Sequence, residues 1–181
     1  RLERVEKEIL DQTLKGCVKV LTDILESIHP EVFENLQWMR ESVTSLAWGL
    51  DIRETWEYEV AAMLVDIGLV AVLAGALSKM HSGLVLTRDE NRLFAAIPEL
   101  SQKLVGNIPR MENVSKIILY VGKNYDGSGH PEDGVAGEEI PLGARMLRIV
   151  RDLRFQTDKT TSLAATLRKM QANQSASDPR S

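Results

Sequence analysis

Apolar side chains recur every three or four residues along almost the whole chain, and this spacing constrains the fold more than any other feature. A repeat near 3.6 residues places such side chains on one face of an α-helix, whereas strands need strict alternation, which is nowhere convincing. The clearest stripe lies near the beginning and consists of Leu10, Leu14, Cys17, Leu21, Ile24 and Ile28. The sequence therefore predicts an all-α fold.

Local signals divide the rest of the chain into helices. Pro30 suits the first turn of a helix, which Gly49 and Asp51 end. The segment from Thr87 to Glu90 has the capping-box pattern, and Pro98 ends or kinks the helix that it starts. Further stripes are carried by Trp56, Val60, Met63 and Ile67; Leu100 and Leu104; Val114, Ile117, Ile118 and Val121; Leu142, Met146, Ile149 and Leu153; and Leu163, Leu167 and Met170. We expect about seven helices after a long first helix.

Composition excludes several classes of protein. The 181 residues carry 22 basic and 26 acidic side chains, so no excess of positive charge is present for binding nucleic acid. A single cysteine excludes an intrachain disulfide framework and a multi-cysteine zinc site. Asp66 interrupts the most apolar run, and the first residues lack the features of a signal peptide. We expect a cytoplasmic domain that does not contact a membrane.

A long loop between Asn124 and Ile140 is the most informative local feature, because loops of this length inside a compact domain are usually functional. Its first part reads Tyr125-Asp126-Gly127-Ser128-Gly129-His130-Pro131. Its second part leads into the next helix and reads Glu138-Glu139-Ile140-Pro141-Leu142-Gly143-Ala144-Arg145. The glycine torsions and the hydrogen bonds of Asp126 are expected to fix its shape.

This loop resembles the signature of HD-GYP domains, bacterial signalling phosphodiesterases of the HD superfamily, which reads roughly W-D-G-S-G-Y-P followed by G-E-E-I-P-L-x-A-R. Upstream, Val65-Asp66-Ile67-Gly68-Leu69 falls where that family has H-D-I-G-K. The similarity covers roughly residues 29–155. It implies an HD-superfamily helical bundle at residues 29–170, preceded by a linker helix at residues 1–28 and followed by a polar tail at residues 171–181 that we expect to be disordered.

The resemblance also implies where a catalytic site would lie. Active HD-GYP domains hold two or three metal ions, usually iron or manganese, through histidines and aspartates from several helices. The positions that match those ligands or their neighbours form a vestigial site made of Asn35, Val65, Asp66, Ile97, Val121, Gly122, Lys123 and Arg151. Of these, Asp66 alone keeps a ligand of the family. We therefore expect no metal, no cofactor and no catalytic residue.

Three functions remain open. The first is a catalytically inactive signalling domain, the output end of a response regulator with an upstream receiver or sensor domain, since the first helix begins without a capping signal. The second is a hydrolase that still cleaves a cyclic dinucleotide such as cyclic di-GMP, and the third is a sensor that binds this nucleotide without cleaving it. The metal-free HDOD branch of the superfamily ranks lower because it lacks the loop string.

Contacts with other proteins are expected at two places. The resemblance makes the loop residues Tyr125, Asp126, Gly127, Gly129, His130 and Pro131 a surface for binding a partner, and in HD-GYP domains this loop is associated with GGDEF-type cyclase domains. His130 replaces the family's tyrosine there. The apolar stripe of the first helix can pair with its own copy or with the second helix of the domain, and of these two we expect a parallel homodimer.

Two expectations concern charged and polar side chains. Asp66 needs a cation in an apolar setting, and Arg151, or failing that Lys123, is expected to contact it. The four arginines of the last part of the domain, spaced three residues apart, are expected to form a solvated face: Arg145, Arg148, Arg151 and Arg154. His81 is expected in a polar turn.

Overall fold

The computed structural model describes the backbone of residues 2–156, and the side chains of those residues except at positions 2–8, 10, 11, 31, 81, 155 and 156. Within this range the chain forms eight α-helices and no strand. The predicted stripe from Leu163 to Met170 and the polar tail lie outside the described residues. The helices are α1 Leu2–Ile28, α2 Pro30–Gly49, α3 Trp56–Leu64, α4 Ala74–His81, α5 Arg88–Ala95, α6 Ile97–Gly106, α7 Glu112–Tyr120 and α8 Leu142–Gln156.

Most of the predicted boundaries are confirmed. Pro30 opens α2. Thr87 forms a full capping box: its hydroxyl accepts a hydrogen bond from the backbone N–H of Glu90, and the Glu90 carboxylate accepts one from the backbone N–H of Thr87. The helix predicted from Trp56, Val60, Met63 and Ile67 is shorter than that apolar pattern, because α3 ends at Leu64 and a 3-10 helix, Ile67–Ala71, follows. The loop 124–140 contains only a short 3-10 turn, Gly137–Glu139.

Helix α4 was not predicted from the sequence. His81 is the last residue of this helix, so the expectation that it lies in a polar turn is wrong. The segment lacks a side-chain cap at Leu73 and carries only two buried apolar side chains, Ala76 and Leu77. Its local signals are therefore weak, and packing of these two side chains on the core is what holds the helix in place.

Helix α2 lies at the centre of the fold and packs against α1, α3 and α8. Its buried face consists of Val32, Leu36, Met39, Val43 and Ala47, which repeat at the helical period. Helices α6 and α7 complete the core, with α7 packed on α3 and α6 on the Ile67–Ala71 3-10 helix. The turns that follow α3 and α7 therefore lie next to each other and to α6 and α8, where the candidate site forms.

The first helix is part of this core and still keeps a free apolar face. Leu14 and Leu25 are buried, with 5% and 0% of their surface exposed, because α1 packs on α2, on α3 and on the 3-10 helix. Ile24 and Ile28, on the same predicted stripe, remain 44% and 43% exposed. Among the described side chains, intramolecular packing thus covers only part of the stripe on which the homodimer prediction rests.

His29 connects α1 to the 3-10 helix. It lies between α1 and α2, is fully buried, and its Nε2 is 3.1 Å from the carbonyl oxygen of Leu69 and 3.2 Å from that of Val72. Because both partners are acceptors, Nε2 carries a proton and donates to them. The end of α1 is thereby fixed to the segment that follows Asp66.

No single described helix combines the length and apolar composition needed to cross a bilayer. One pair of helical segments, Trp56–Ala71 and Ala74–Met80, meets these criteria only when the two are counted together across a bend of 116°.

Gly68 allows the 3-10 helix to lie directly against α6. A Cβ atom built there would lie 2.8 Å from the carbonyl oxygen of Ile97 and 2.9 Å from Oγ of Ser101, which also accepts a hydrogen bond from the Gly68 amide. Contacts this short require the backbone of α6 to move.

We predict that Gly68→Ala lowers the free energy of unfolding by about 1–3 kcal/mol through overpacking. The matched control is Gly16→Ala in the interior of α1, where a Cβ atom meets nothing within 4 Å. There the same change should raise stability by about 0.5–1 kcal/mol, because alanine favours a helix interior. Urea denaturation measures both, and equal stabilities would contradict the packing described for Gly68.

Candidate functional site

One cavity of about 550 Å³ lies between α2, the segment from the end of α3 through the 3-10 helix, and α4 to α8. All residues of the predicted vestigial site line it except Lys123: α2 contributes Asn35, the end of α3 contributes Val65 and Asp66, the start of α6 contributes Ile97, the end of α7 contributes Val121 and Gly122, and α8 contributes Arg151. The structure thus brings together residues that are up to 116 positions apart in the sequence.

An ion pair joins the two charged residues of this set. Arg151 donates from its terminal nitrogen to Oδ1 of Asp66 at 2.8 Å, which confirms the predicted contact. Asp66 stands at the N-terminus of the 3-10 helix, but its side chain does not cap that helix. The side chains are 17% and 28% exposed, so the pair is only partly removed from water.

The other walls of the cavity are largely apolar. Three of the positions that the resemblance matches to histidines hold Val65, Ile97 and Val121, which are at most 8% exposed. The remaining lining residues, apart from Arg154, are Val32, Met39, Leu69, Leu77, Met80, Phe94, Pro98 and Ile118. A metal ligand at these three positions would need an atom with a lone pair, whereas the aliphatic side chains present pack against the core.

Arg154 is a lining residue that the resemblance did not indicate. Its Nε donates to Oδ1 of Asn35 at 3.2 Å, and its guanidinium lies 5.3 Å from the ring centre of Trp38. Among the side chains that the structure describes, it forms no ion pair. The signal in the sequence was its spacing, because a residue three positions after Arg151 lies on a neighbouring part of the same helix face.

The expectation of a solvated arginine face on α8 is wrong. Arg145 pairs with Glu138 at 2.8 Å and Arg151 with Asp66. Arg148 contacts both Asp152, at 3.0 Å, and the carbonyl oxygen of Gly122, at 3.1 Å. Three-residue spacing turns successive side chains slowly around the helix, so each arginine meets a different segment of the domain.

Lys123 departs from the rest of the vestigial site and supports the loop. It is 2% exposed, donates to the carbonyl oxygen of Pro131, and lies 2.9 Å from Oδ1 of Asp133. The Tyr120 hydroxyl donates to the other oxygen of the same carboxylate. Sequence reasoning missed Asp133 because its partners lie ten or more residues away, across an irregular segment that has no fixed period.

The loop surface predicted to bind a partner is held by its own hydrogen bonds. Asp126 accepts from the amide and hydroxyl of Ser128, as expected for this residue, and the exposed Tyr125 donates to Glu138 at 3.1 Å. Gly129 has a φ of +87°, and a Cβ atom there would lie 2.4 Å from the carbonyl oxygen of Gly122. The loop therefore presents exposed side chains on a shaped backbone.

The histidines lie at separate places in the fold. The half-buried His130, which precedes a cis peptide bond to Pro131, has its Nε2 3.3 Å from Oε1 of Glu99 on α6. In the same loop, Gly127 has a positive φ of +87°. His29 is at the junction of α1 and α2, and His81 ends α4. Neither His29 nor His130 lines the cavity.

The donor set does not fit a metal centre of the kind implied by the resemblance. In the part of the chain described, no group of three or more His, Cys, Asp or Glu side chains lies close enough to share an ion. The single carboxylate of the cavity is already paired with Arg151, whose positive charge would repel a cation.

The comparisons with known proteins agree with the fold. The sequence pattern of the HD domain family matches residues 19–180, which is most of the chain. The chain therefore belongs to the HD domain family. No curated protein matches it.

We predict that Arg151→Ala lowers the free energy of unfolding by about 1–3 kcal/mol, because it leaves a partly buried carboxylate without its partner. The loss stays below that of a fully buried pair because water reaches both side chains. Asp66→Asn should cost less, since the amide oxygen still accepts a hydrogen bond. Urea denaturation measures both changes.

The control for this prediction is Arg53→Ala, which removes an ion pair to Asp51 whose side chains are 72% and 90% exposed. It should change stability by less than about 0.5 kcal/mol. If Arg151→Ala were as mild as this control, the ion pair would have no structural role.

The loop should lose stability in acid. Tyr120 and Lys123 lower the pKa of Asp133 from its ordinary value of 3.8 to about 2. Because the native pKa lies below the unfolded one, this carboxylate contributes stability above pH 3.8 that is lost as the pH falls towards 2. Asp133→Asn should flatten the pH dependence of the urea midpoint in that window. Glu132→Gln, at the exposed neighbouring position, should leave it as in the unchanged protein.

Proposed function

We propose that this chain is a catalytically inactive, HD-GYP-like signalling domain that acts through contacts with other proteins. The observation that carries the proposal is the chemistry of the cavity. Where the related phosphodiesterases would have histidine ligands, Val65, Ile97 and Val121 pack as an apolar wall, and the one remaining acid, Asp66, is neutralised by Arg151. A two-metal phosphodiester cleavage needs several donors at this place.

The preserved loop supports a role in binding. Its exposed Tyr125 and Asp126 stand on a backbone that Gly129 and the Lys123–Asp133 pair hold in shape. A loop that keeps its shape after the catalytic ligands are gone is best explained by a surface that a partner recognises. A GGDEF-type domain is the partner class that the resemblance suggests, with His130 altering the contact.

Helix α1 supports a role in transmitting a signal to or from the domain. Four exposed apolar residues follow one side of this helix, next to its buried face: Ile9, Val20, Ile24 and Ile28. We propose that this stripe pairs with its counterpart in a parallel homodimer, and that α1 links the domain to an upstream receiver or sensor domain in the cytoplasm.

The enzymatic alternative is tested by metal content and turnover together. The purified protein, incubated with Mn²⁺ or with Fe²⁺ under anaerobic conditions and then desalted, is expected to retain no stoichiometric metal and to leave cyclic di-GMP intact. An active HD-GYP phosphodiesterase treated in the same way serves as the positive control. Retained metal with linear dinucleotide as product would refute the proposal. Saturable binding of cyclic di-GMP without cleavage would replace it with a nucleotide sensor.

The homodimer is tested by sedimentation. Val20→Glu and Ile24→Glu place charges in the exposed stripe of α1 and are expected to convert a dimer into a monomer, with the helical circular dichroism unchanged. Gln12→Glu is the matched control, because it adds the same charge at an exposed position of α1 away from the stripe. A monomeric unchanged protein at high concentration, or dissociation by the control as well, would contradict pairing through this face.

A further inference from the structure

We propose that the cavity binds a monocarboxylate with an unbranched alkyl chain, such as a medium-chain fatty acid. The inference deepens the proposed function and rests on it, because metal ions would fill the polar part of the same space. The cavity volume of about 550 Å³ lies in the range of sites for small molecules. Under the proposed function, the space that metal ions and their substrate would occupy remains open as this cavity.

The walls select the apolar part of the ligand. Most of the lining is aliphatic, with Phe94 as its aromatic residue and two methionines, Met39 and Met80, whose flexible side chains adapt to a chain of variable length. A nucleotide would require polar partners for its base and sugar, and among the described lining side chains Asn35 is the only uncharged polar one.

The charges select the head group. Among the described side chains, Asp66, Arg151 and Arg154 are the charged ones of the lining, and Asp66 and Arg151 neutralise each other. One positive charge is left over, that of Arg154, which is exposed and within reach of Asn35. A single anionic group with the size of a carboxylate balances this charge, whereas a multiply charged phosphate ester would not be balanced.

The exposed lining residues indicate how the ligand would lie. Met80 on α4 and Arg154 on α8 are exposed, whereas the other lining side chains are buried or half-buried. Solvent therefore meets the cavity beside one apolar and one cationic side chain. We infer that the carboxylate binds at Arg154 and that the alkyl chain extends inwards over Val65, Ile97 and Val121.

The test is isothermal titration of the full chain with octanoate, decanoate and dodecanoate, followed by decanol and decyltrimethylammonium. The dissociation constant should fall about threefold to fourfold for each added methylene while the chain stays inside the cavity. Decanol should bind about tenfold more weakly than decanoate, and the cationic amphiphile more weakly still. Absence of saturable binding, or equal affinities of decanoate and decanol, would overturn the proposal.

Arg154→Gln locates the head group without disturbing the Asp66–Arg151 pair. This variant should bind decanoate about as weakly as decanol and should leave the affinity for decanol unchanged. Arg92→Gln, an exposed arginine of α5 outside the lining, is the matched control and should bind decanoate like the unchanged protein. An equal loss in both variants would overturn the assignment to this cavity.

The source of the ligand and the proposed function are examined separately. Vesicles of zwitterionic phospholipid, which offer acyl chains without a free carboxylate, should not compete with decanoate; competition would overturn the assignment of a free monocarboxylate. Cleavage of cyclic di-GMP would refute the proposed function whatever the titration shows. Failure to bind any alkyl carboxylate would refute only the present inference.

Discussion

The ion pair between Asp66 and Arg151 is the contact on which the arrangement of the site depends. It joins α8 to the turn between α3 and the 3-10 helix, two segments that are 85 residues apart. Without a cation the carboxylate would be left poorly solvated among apolar side chains, and without the carboxylate the guanidinium would lose its partner. The pair holds the segment around Asp66 in place beside α6 and α7.

The arginines of α8 also contact the loop and other segments of the domain. They reach four different places: Glu138, the carbonyl oxygen of Gly122, Asp66, and the side chains of α2 around Asn35. The buried Lys123 adds a contact to Asp133 from the end of α7. Basic side chains of α8 and the end of α7 thus contact both the loop and the cavity.

The free face of α1 and the cavity are neighbours through one short segment. His29 binds the carbonyl oxygens of Leu69 and Val72, and Leu69 also lines the cavity. The 3-10 helix that carries Leu69 packs on α1 and on α6, where Gly68 allows close approach. Under the proposed function, a ligand in the cavity would contact the 3-10 helix at Leu69, and a partner would contact α1, the helix that packs on it.

The sequence by itself determined the helical class, the bounds of α2, the start of α5 and the length of the loop, because these follow from apolar periodicity, Pro30, Gly49, the Thr87 capping box and glycine content. It also indicated that Asp66 needs a cation, since that requirement is local. The tertiary structure alone decided which cations serve which acids: Arg151 reaches Asp66, Lys123 turns to Asp133, and Arg154 lies at the cavity beside Trp38. Helix α4 and the cavity also depend on packing between distant segments. Such pairings are set by the directions of side chains on packed helices, and a local pattern carries no record of them.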